Sequence, residues 1–450
     1  MTKRNLILLI IVLVVVVIAI FGFLYFRPGT TAPGDNNNTT GTNFFSQFNP
    51  FASNKTKTPT VTPTVDVSGN QPPVTEEVNA KLIKISSMPV AGFTVFSKER
   101  LSVPVPTLPA VETVPVGTSP KGKAKIGMGT TTPLTEFMPT LRYVARTDGN
   151  IYETFADKIE EQKFSGTVIP QIYEALFGNK GQSVILRYLK GDGRTIETFV
   201  SNLPKELLGT DPTIVNEIKG SFLPENIKDL SLSPDTSNIF YLSNSGDNMV
   251  GLTMNLTNSK KVQIFASPFT EWLSQWPNIK MITLTTKPSA GIPGYMYAMD
   301  PNVKNLNQVF GGINGLTTLT SPNGKLVLYS NDNLSLSVYH LDTKVSDPLG
   351  VKTLPEKCVW GSTGNVIYCS VPKLLEIGQY PDVWYQGEVS FEDQIWKIDL
   401  KTGNATMLLD PATIGNGEEI DGIKLALDAG ENYLFFVNKK DSFLWEFALK

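Results

Sequence analysis

The stretch Ile313 to Val345, I-N-G-L-T-T-L-T-S-P-N-G-K-L-V-L-Y-S-N-D-N-L-S-L-S-V-Y-H-L-D-T-K-V, reads as strand, tight turn, strand, turn, strand. Its parts recur at a period of about 45 residues, which marks one supersecondary unit used many times. Ser321-Pro322-Asn323 answers Ser233-Pro234-Asp235, and Val327-Leu328-Tyr329 answers Ile239-Phe240-Tyr241 at the same offset. Ile313-Asn314-Gly315-Leu316 answers Ile420-Asp421-Gly422-Ile423. A second column runs aromatic or large apolar, any residue, apolar, then Asp or Asn. Its copies are Leu252 to Asn255, Tyr297 to Asp300, Tyr339 to Asp342 and Trp396 to Asp399, with Trp445 to Phe447 continuing it without the acid.

Each unit has the makings of a four-stranded antiparallel blade. In Ser-Pro-Asp/Asn, Pro presets its own φ and the acid or amide bonds back to the local backbone. The Val/Ile/Leu/Phe/Tyr run that follows suits a strand buried on both faces. The third strand alternates, as in Ile395-Trp396-Lys397-Ile398-Asp399-Leu400, and its closing Asp or Asn opens a hairpin. The repeated acid is therefore read as structural. Two segments look inserted, Lys98 to Pro139 and Val371 to Ser390. The rest of the region from Lys81 to Lys450 divides into seven units, near 92–166, 167–225, 226–268, 269–312, 313–355, 356–418 and 419–450. The seventh stops after its third strand, whereas Leu82-Ile83-Lys84-Ile85 is a short apolar strand with no unit of its own. Pairing the two closes a ring and covers a sheet edge. The expected fold is an all-β, about seven-bladed β-propeller.

Residues 1–5 carry Lys3 and Arg4, and residues 6–26 are uncharged and long enough to cross a bilayer. With no Ala-x-Ala cleavage pattern and only Arg27 following closely, this is expected to be an uncleaved signal anchor. The N-terminus is then cytoplasmic and the ring extracytoplasmic. Residues 27–80, dense in Thr, Asn and Pro, are expected to form a disordered linker.

The Ser-Pro-Asp/Asn turns, each followed by an apolar strand and an aromatic strand ending in Asp or Asn, resemble the WD40-like repeats of TolB-type propellers. The likeness is good over 226–450 and weak over 81–225. It implies a protein- or ligand-binding platform in the cell envelope. Two departures stand out: no hydrolase domain is expected after the ring, and a membrane anchor replaces a soluble periplasmic form.

Chemical motifs are sparse. The single histidine, His340, lies within a strand and is read as a packed or surface residue. No Gly-x-Ser-x-Gly elbow, phosphate-binding glycine loop or Cys/His cluster is present, so no catalytic residue, metal or cofactor is assigned. In Glu392-Asp393 and Glu418-Glu419 the adjacent carboxylates point to opposite faces of a strand. The balance of 39 basic and 42 acidic residues gives no reason to expect nucleic acid as a partner.

Two local features remain. A hairpin centred on Thr363-Gly364 sets Cys358 opposite Cys369, and outside the cytoplasm the pair is expected to form a disulfide. The aromatic insertion around Tyr380, Asp382, Trp384 and Tyr385 is the best binding candidate, with the plain alternative that Trp384 and Tyr385 fold back to cap their own blade. Two functions stay open. One is a membrane-tethered platform for a protein or cell-wall polymer. The other is a carbohydrate-active lyase or hydrolase using carboxylates of the propeller channel.

Overall fold

Seven four-stranded antiparallel sheets form the fold, seen in a computed structural model that describes residues 82–102, 135–206, 215–414 and 417–450. Blade 1 is Val90–Leu101, Thr135–Ala145, Ile151–Phe155 and Gln162–Lys163; blade 2 is Ile172–Gly178, Ser183–Leu189, Ile196–Asn202 and Gly220–Phe222. Blade 3 is Asp229–Leu232, Asn238–Ser245, Asn248–Asn255 and Lys261–Ser267; blade 4 is Trp272–Asn278, Met281–Thr286, Pro293–Met299 and Asn307–Asn314. Blade 5 is Thr317–Thr320, Leu326–Ser330, Ser335–His340 and Ser346–Lys352; blade 6 is Cys358–Trp360, Val366–Pro372, Asp393–Asp399 and Asn404–Leu409. Blade 7 takes Gly422–Leu427, Tyr433–Asn438 and Leu444–Ala448, and borrows Leu82–Lys84 as its outer strand.

The repeated turns explain why each unit folds locally. Ser233 Oγ donates to Asp235 Oδ1 at 2.6 Å and accepts from Asn238 N at 2.9 Å. In blade 5, Ser321 Oγ donates to Asn323 Oδ1 at 2.8 Å and accepts from Leu326 N at 3.0 Å. Both turns satisfy their own polar groups, as the sequence pattern requires. The residue closing the third strand turns the chain in the same way. Asp399 Oδ1 accepts from Lys401 N at 2.8 Å, and Asn255 Oδ1 from Thr257 N at 3.1 Å. His340 is half-exposed and meets Asp347 Oδ2 at 2.9 Å.

Blade packs on blade through one apolar cluster per junction. Blades 1 and 2 share Val144, Ile151, Ile172 and Leu186, while blades 3 and 4 share Phe240, Phe265, Trp272 and Leu284. At the closing junction, Leu141 and Tyr143 of blade 1 meet Phe435 and Val437 of blade 7. The Cys358–Cys369 disulfide is present and buried in the junction between blades 5 and 6. Strands reverse direction at each step. The second-to-third turns and the links between blades therefore share one end of the ring, the upper face, and the remaining turns lie at the lower face.

Three expectations need correction or placement. Lys98 to Leu101 and Thr135 to Pro139 are not inserted. They extend one long hairpin whose register runs out to Leu101 opposite Thr135, because backbone pairing continues past the alternating pattern. Ring closure occurs as read, with Leu82 opposite Phe447 and Lys84 opposite Trp445. Within the run Leu82 to Ile85, Ile85 is 3% exposed and Leu82 packs half-buried against blade 7, whereas Ile83 is 38% exposed. Finally, residues 6–26, the linker 27–80 and the middle of the first insertion lie outside the described residues. Among the described residues no helix is long and apolar enough to cross a membrane.

The closing strand should control stability. A chain beginning at Met88 loses the Leu82–Lys84 ladder and the burial of Ile85, worth about 1.5–3 kcal/mol. It should melt lower and associate more readily than one beginning at Thr75; equal melting temperatures would show that closure contributes nothing.

Blade 7 also carries a buried acid. Glu446 is 2% exposed, and its Oε2 has no hydrogen-bond partner. Burial, then Asp157 and Asp428, push its carboxyl up to about 8. Because this value lies above that of an unfolded glutamate, the group's contribution is full at pH below about 4.5 and is lost as pH rises through 8. Denaturant midpoints should thus fall across this window, and Glu446→Gln should flatten that fall. An unchanged slope would rule out Glu446 as its source.

Candidate functional site

The insertion between the second and third strands of blade 6 spans residues 373–392 and covers part of the upper face. It contains one helical turn, Asp382–Tyr385. Tyr380, Trp384 and Phe391 turn inward onto Leu334 of blade 5 and Leu354 of the link that follows it, with the Trp384 and Phe391 rings stacked at 6.1 Å. Tyr380 Oη donates to Glu376 O at 2.9 Å. Asp382 reaches across to blade 4, where it accepts from Ala290 N and, at 3.4 Å, from Ser289 Oγ.

Beneath the aromatic rings lies a fully buried lysine, Lys357, from the link between blades 5 and 6. Its Nζ donates to Asp393 Oδ2 at 2.7 Å, to Asp421 Oδ1, and to Gly422 O at 3.2 Å. The same Nζ lies 5.3 Å from the Trp384 ring and 5.2 Å from that of Phe391. Asp421 Oδ2 accepts from Trp384 Nε1 at 3.0 Å, Ser390 Oγ at 3.0 Å and Phe391 N at 3.1 Å. Burial opposes the Asp421 charge, but Lys357 and these donors outweigh it and hold its carboxyl below the usual range. Asp393 differs: burial raises it to about 6 despite Lys357, and its Oδ1 has no partner. Lys439 closes the assembly, donating to Trp384 O at 2.7 Å with its Nζ 4.4 Å from the indole ring.

The sequence-derived residues thus divide. Tyr380 and Trp384 are internal, Asp382 is a tether between blades, and Tyr385 is part-exposed with its hydroxyl enclosed and hydrogen-bonded to Glu356. Trp384 folds back into the interior, and Tyr385 turns its hydroxyl onto Glu356 in the link that leads into the same blade. Glu392 points to solvent while Asp393 points inward, as alternation on a strand requires.

Lys357, Asp393 and Asp421 were missed as a group. The only signal was the exchange of Asn314 for Asp421 between aligned repeats, which gains meaning once a lysine from another link stands beside it.

Glu356 and Lys424 are open to solvent yet largely surrounded by protein. This enclosure raises the Glu356 carboxyl against the pull of Tyr385 and Lys357, and lowers the Lys424 ammonium. Lys424 sits at a bulge of the inner strand with φ +53°, and its Nζ donates to Ala91 O at 2.7 Å. A left-handed lysine backbone costs on the order of 1–3 kcal/mol and persists only where its surroundings enforce it. Asp229, raised by burial, accepts from Ser274 N on the next inner strand. Among the described residues, no group of three or more His, Cys, Asp or Glu could hold a metal ion.

No family model and no curated protein matches the chain. Among solved structures, it is similar to an oligogalacturonate lyase in complex with manganese, with a TM-score of 0.47 and 9% identity over 69% of this chain and 86% of that one. An oligogalacturonate lyase from Vibrio parahaemolyticus has a TM-score of 0.47 and 7% identity over 70% of this chain and 86% of that one.

The buried cluster should be sensitive to loss of either acid. Asp421→Ala strips Lys357 of a charge partner and Trp384 of its acceptor, and should destabilise the ring by about 3–5 kcal/mol. Denaturant unfolding measures this; a change below about 1 kcal/mol would mean that the cluster is incidental.

Proposed function

We propose that the ring is a binding platform tethered outside a membrane, with a protein partner docking on the upper face around residues 373–392. The supporting observation is a rigid insertion that displays apolar groups. The buried lysine and its two acids pin the inner side of this segment, while Leu374 is 79% and Ile377 107% exposed on its outer side. Ile292, also exposed, lies two residues from the Ala290 that holds Asp382. Large apolar side chains on an immobilised loop give contact area at low ordering cost. The uncharged stretch 6–26 and the linker 27–80 supply the tether, and the buried disulfide suits an oxidising space.

A second reading rests on the channel, where the enclosed carboxyls of Asp229 and Glu356 are both raised and Lys424 adds a cation. Raised carboxyls on a channel wall are the raw material of acid–base work on a polysaccharide.

Co-purification from solubilised membranes separates the two. The wild-type chain should retain a specific protein that the Leu374→Asp/Ile377→Asp double variant loses. If the double variant retains the same protein, the docking face is misplaced. Turnover of a glycan panel by the wild type, abolished by Asp229→Asn, would replace the platform with the enzyme.

A further inference from the structure

The Lys357 cluster has a chemical capacity that docking does not use. An amine and two carboxyls are held in contact, and all three side chains have no exposure to solvent. We propose that Lys357 and Asp393 condense to an intramolecular amide, with Asp421 as the proton acceptor, so that a covalent bond joins the link between blades 5 and 6 to the third strand of blade 6.

Placement carries the argument. Lys357 Nζ and Asp393 Oδ2 are already 2.7 Å apart, and both backbones are fixed by flanking strands. Holding two reactants in contact converts a slow bimolecular condensation into an intramolecular one. The Trp384 and Phe391 rings sit over the amine and keep bulk water from reversing the step. A buried ion pair is costly to hold, and condensation replaces it with a neutral amide and a neutral acid.

The two acids are differentiated for their two roles. Asp421 accepts three donors through Oδ2 besides Lys357 at Oδ1, and so is stabilised as the charged acceptor. Asp393 has an unpartnered Oδ1, and its oxygens accept only from Lys357 and, at 2.7 Å, from Gly422 N. Its raised carboxyl suits the protonated, electrophilic form.

The step balances without any co-reactant. One proton passes from the Lys357 ammonium to the Asp421 carboxylate. The freed lone pair attacks Asp393 Cγ, forming the C–N bond. A second nitrogen proton joins the Asp393 hydroxyl as its C–O bond breaks, and water leaves. The third proton stays on the amide, and Asp421 ends as a neutral acid.

Peptide mapping of the purified full-length chain tests this. Lys352, Lys357, Lys373 and Lys397 bound the relevant tryptic peptides. After reduction and alkylation, residues 353–373 should remain uncut at Lys357 and joined to residues 374–397, lighter than their sum by one water. Asp393→Asn should give a joined peptide of the same mass, because ammonia then leaves in place of water. Asp393→Ala should give only separate peptides. Complete recovery of 353–357, 358–373 and 374–397 as separate wild-type peptides overturns the proposal, whether or not the variants fold. A bond to the peptide carrying Asp421 overturns the assigned roles. Neither outcome depends on what the upper face binds.

Discussion

Every blade of this ring depends on a neighbour to cover its face, so the closing junction carries a burden that the other six do not. There the contact must be made by the two ends of the described chain, and Leu82–Lys84 does so by adding a ladder to Leu444–Ala448. Ile85 then enters the apolar junction with blade 1, and Leu444 N donates to Ser86 Oγ at 2.9 Å. Without that strand, blade 7 would present an unpaired edge, and its junction with blade 1 would lose part of its wall. The same blade holds Glu446, a carboxyl with too few partners for its burial. Closure is thus joined to a polar weakness in one sheet.

The upper face is governed by a different constraint. Ordering a segment as long as residues 373–392 costs conformational entropy that a loop on a surface does not recover. Here the return comes from one buried polar cluster. Lys357 draws in Asp393 and Asp421, and Asp421 in turn holds Trp384, Ser390 and Phe391. The aromatic rings bury themselves in shielding this group. Outward side chains such as Leu374 and Ile377 are consequently presented from a fixed base. Trp384 and Tyr385 bond different acids, Asp421 and Glu356, because one turn of helix points successive side chains in different directions.

Most of the fold was legible because it rests on local chemistry repeated many times. Ser233-Pro234-Asp235 and Ser321-Pro322-Asn323 write their own turns, and Asp399 or Asn255 writes the next one. Blade number followed from that periodicity, the closing strand from an incomplete last unit, and the disulfide from a hairpin register that sets Cys358 opposite Cys369. Alternation could not say how far a ladder would run. The long hairpin of blade 1 therefore looked inserted where it is paired, and the apolar run Leu82 to Ile85 did not show that Ile85 is its most buried member.

The site was less legible, since its members come from segments far apart in sequence. Lys357 and Asp421 lie in two different links between blades, Asp393 begins a strand, and Trp384 sits within an insertion. Each is unremarkable alone, and only closure of the blades against one another brings the charges into contact. The sequence by itself determined the repeated blade, its turns, the cysteine pairing and the strand that completes the ring, because these depend on neighbours a few residues away or on a gap in a regular pattern. Tertiary structure decided which aromatics are buried and which acids gather around Lys357, because burial and charge pairing depend on distances that no local pattern encodes.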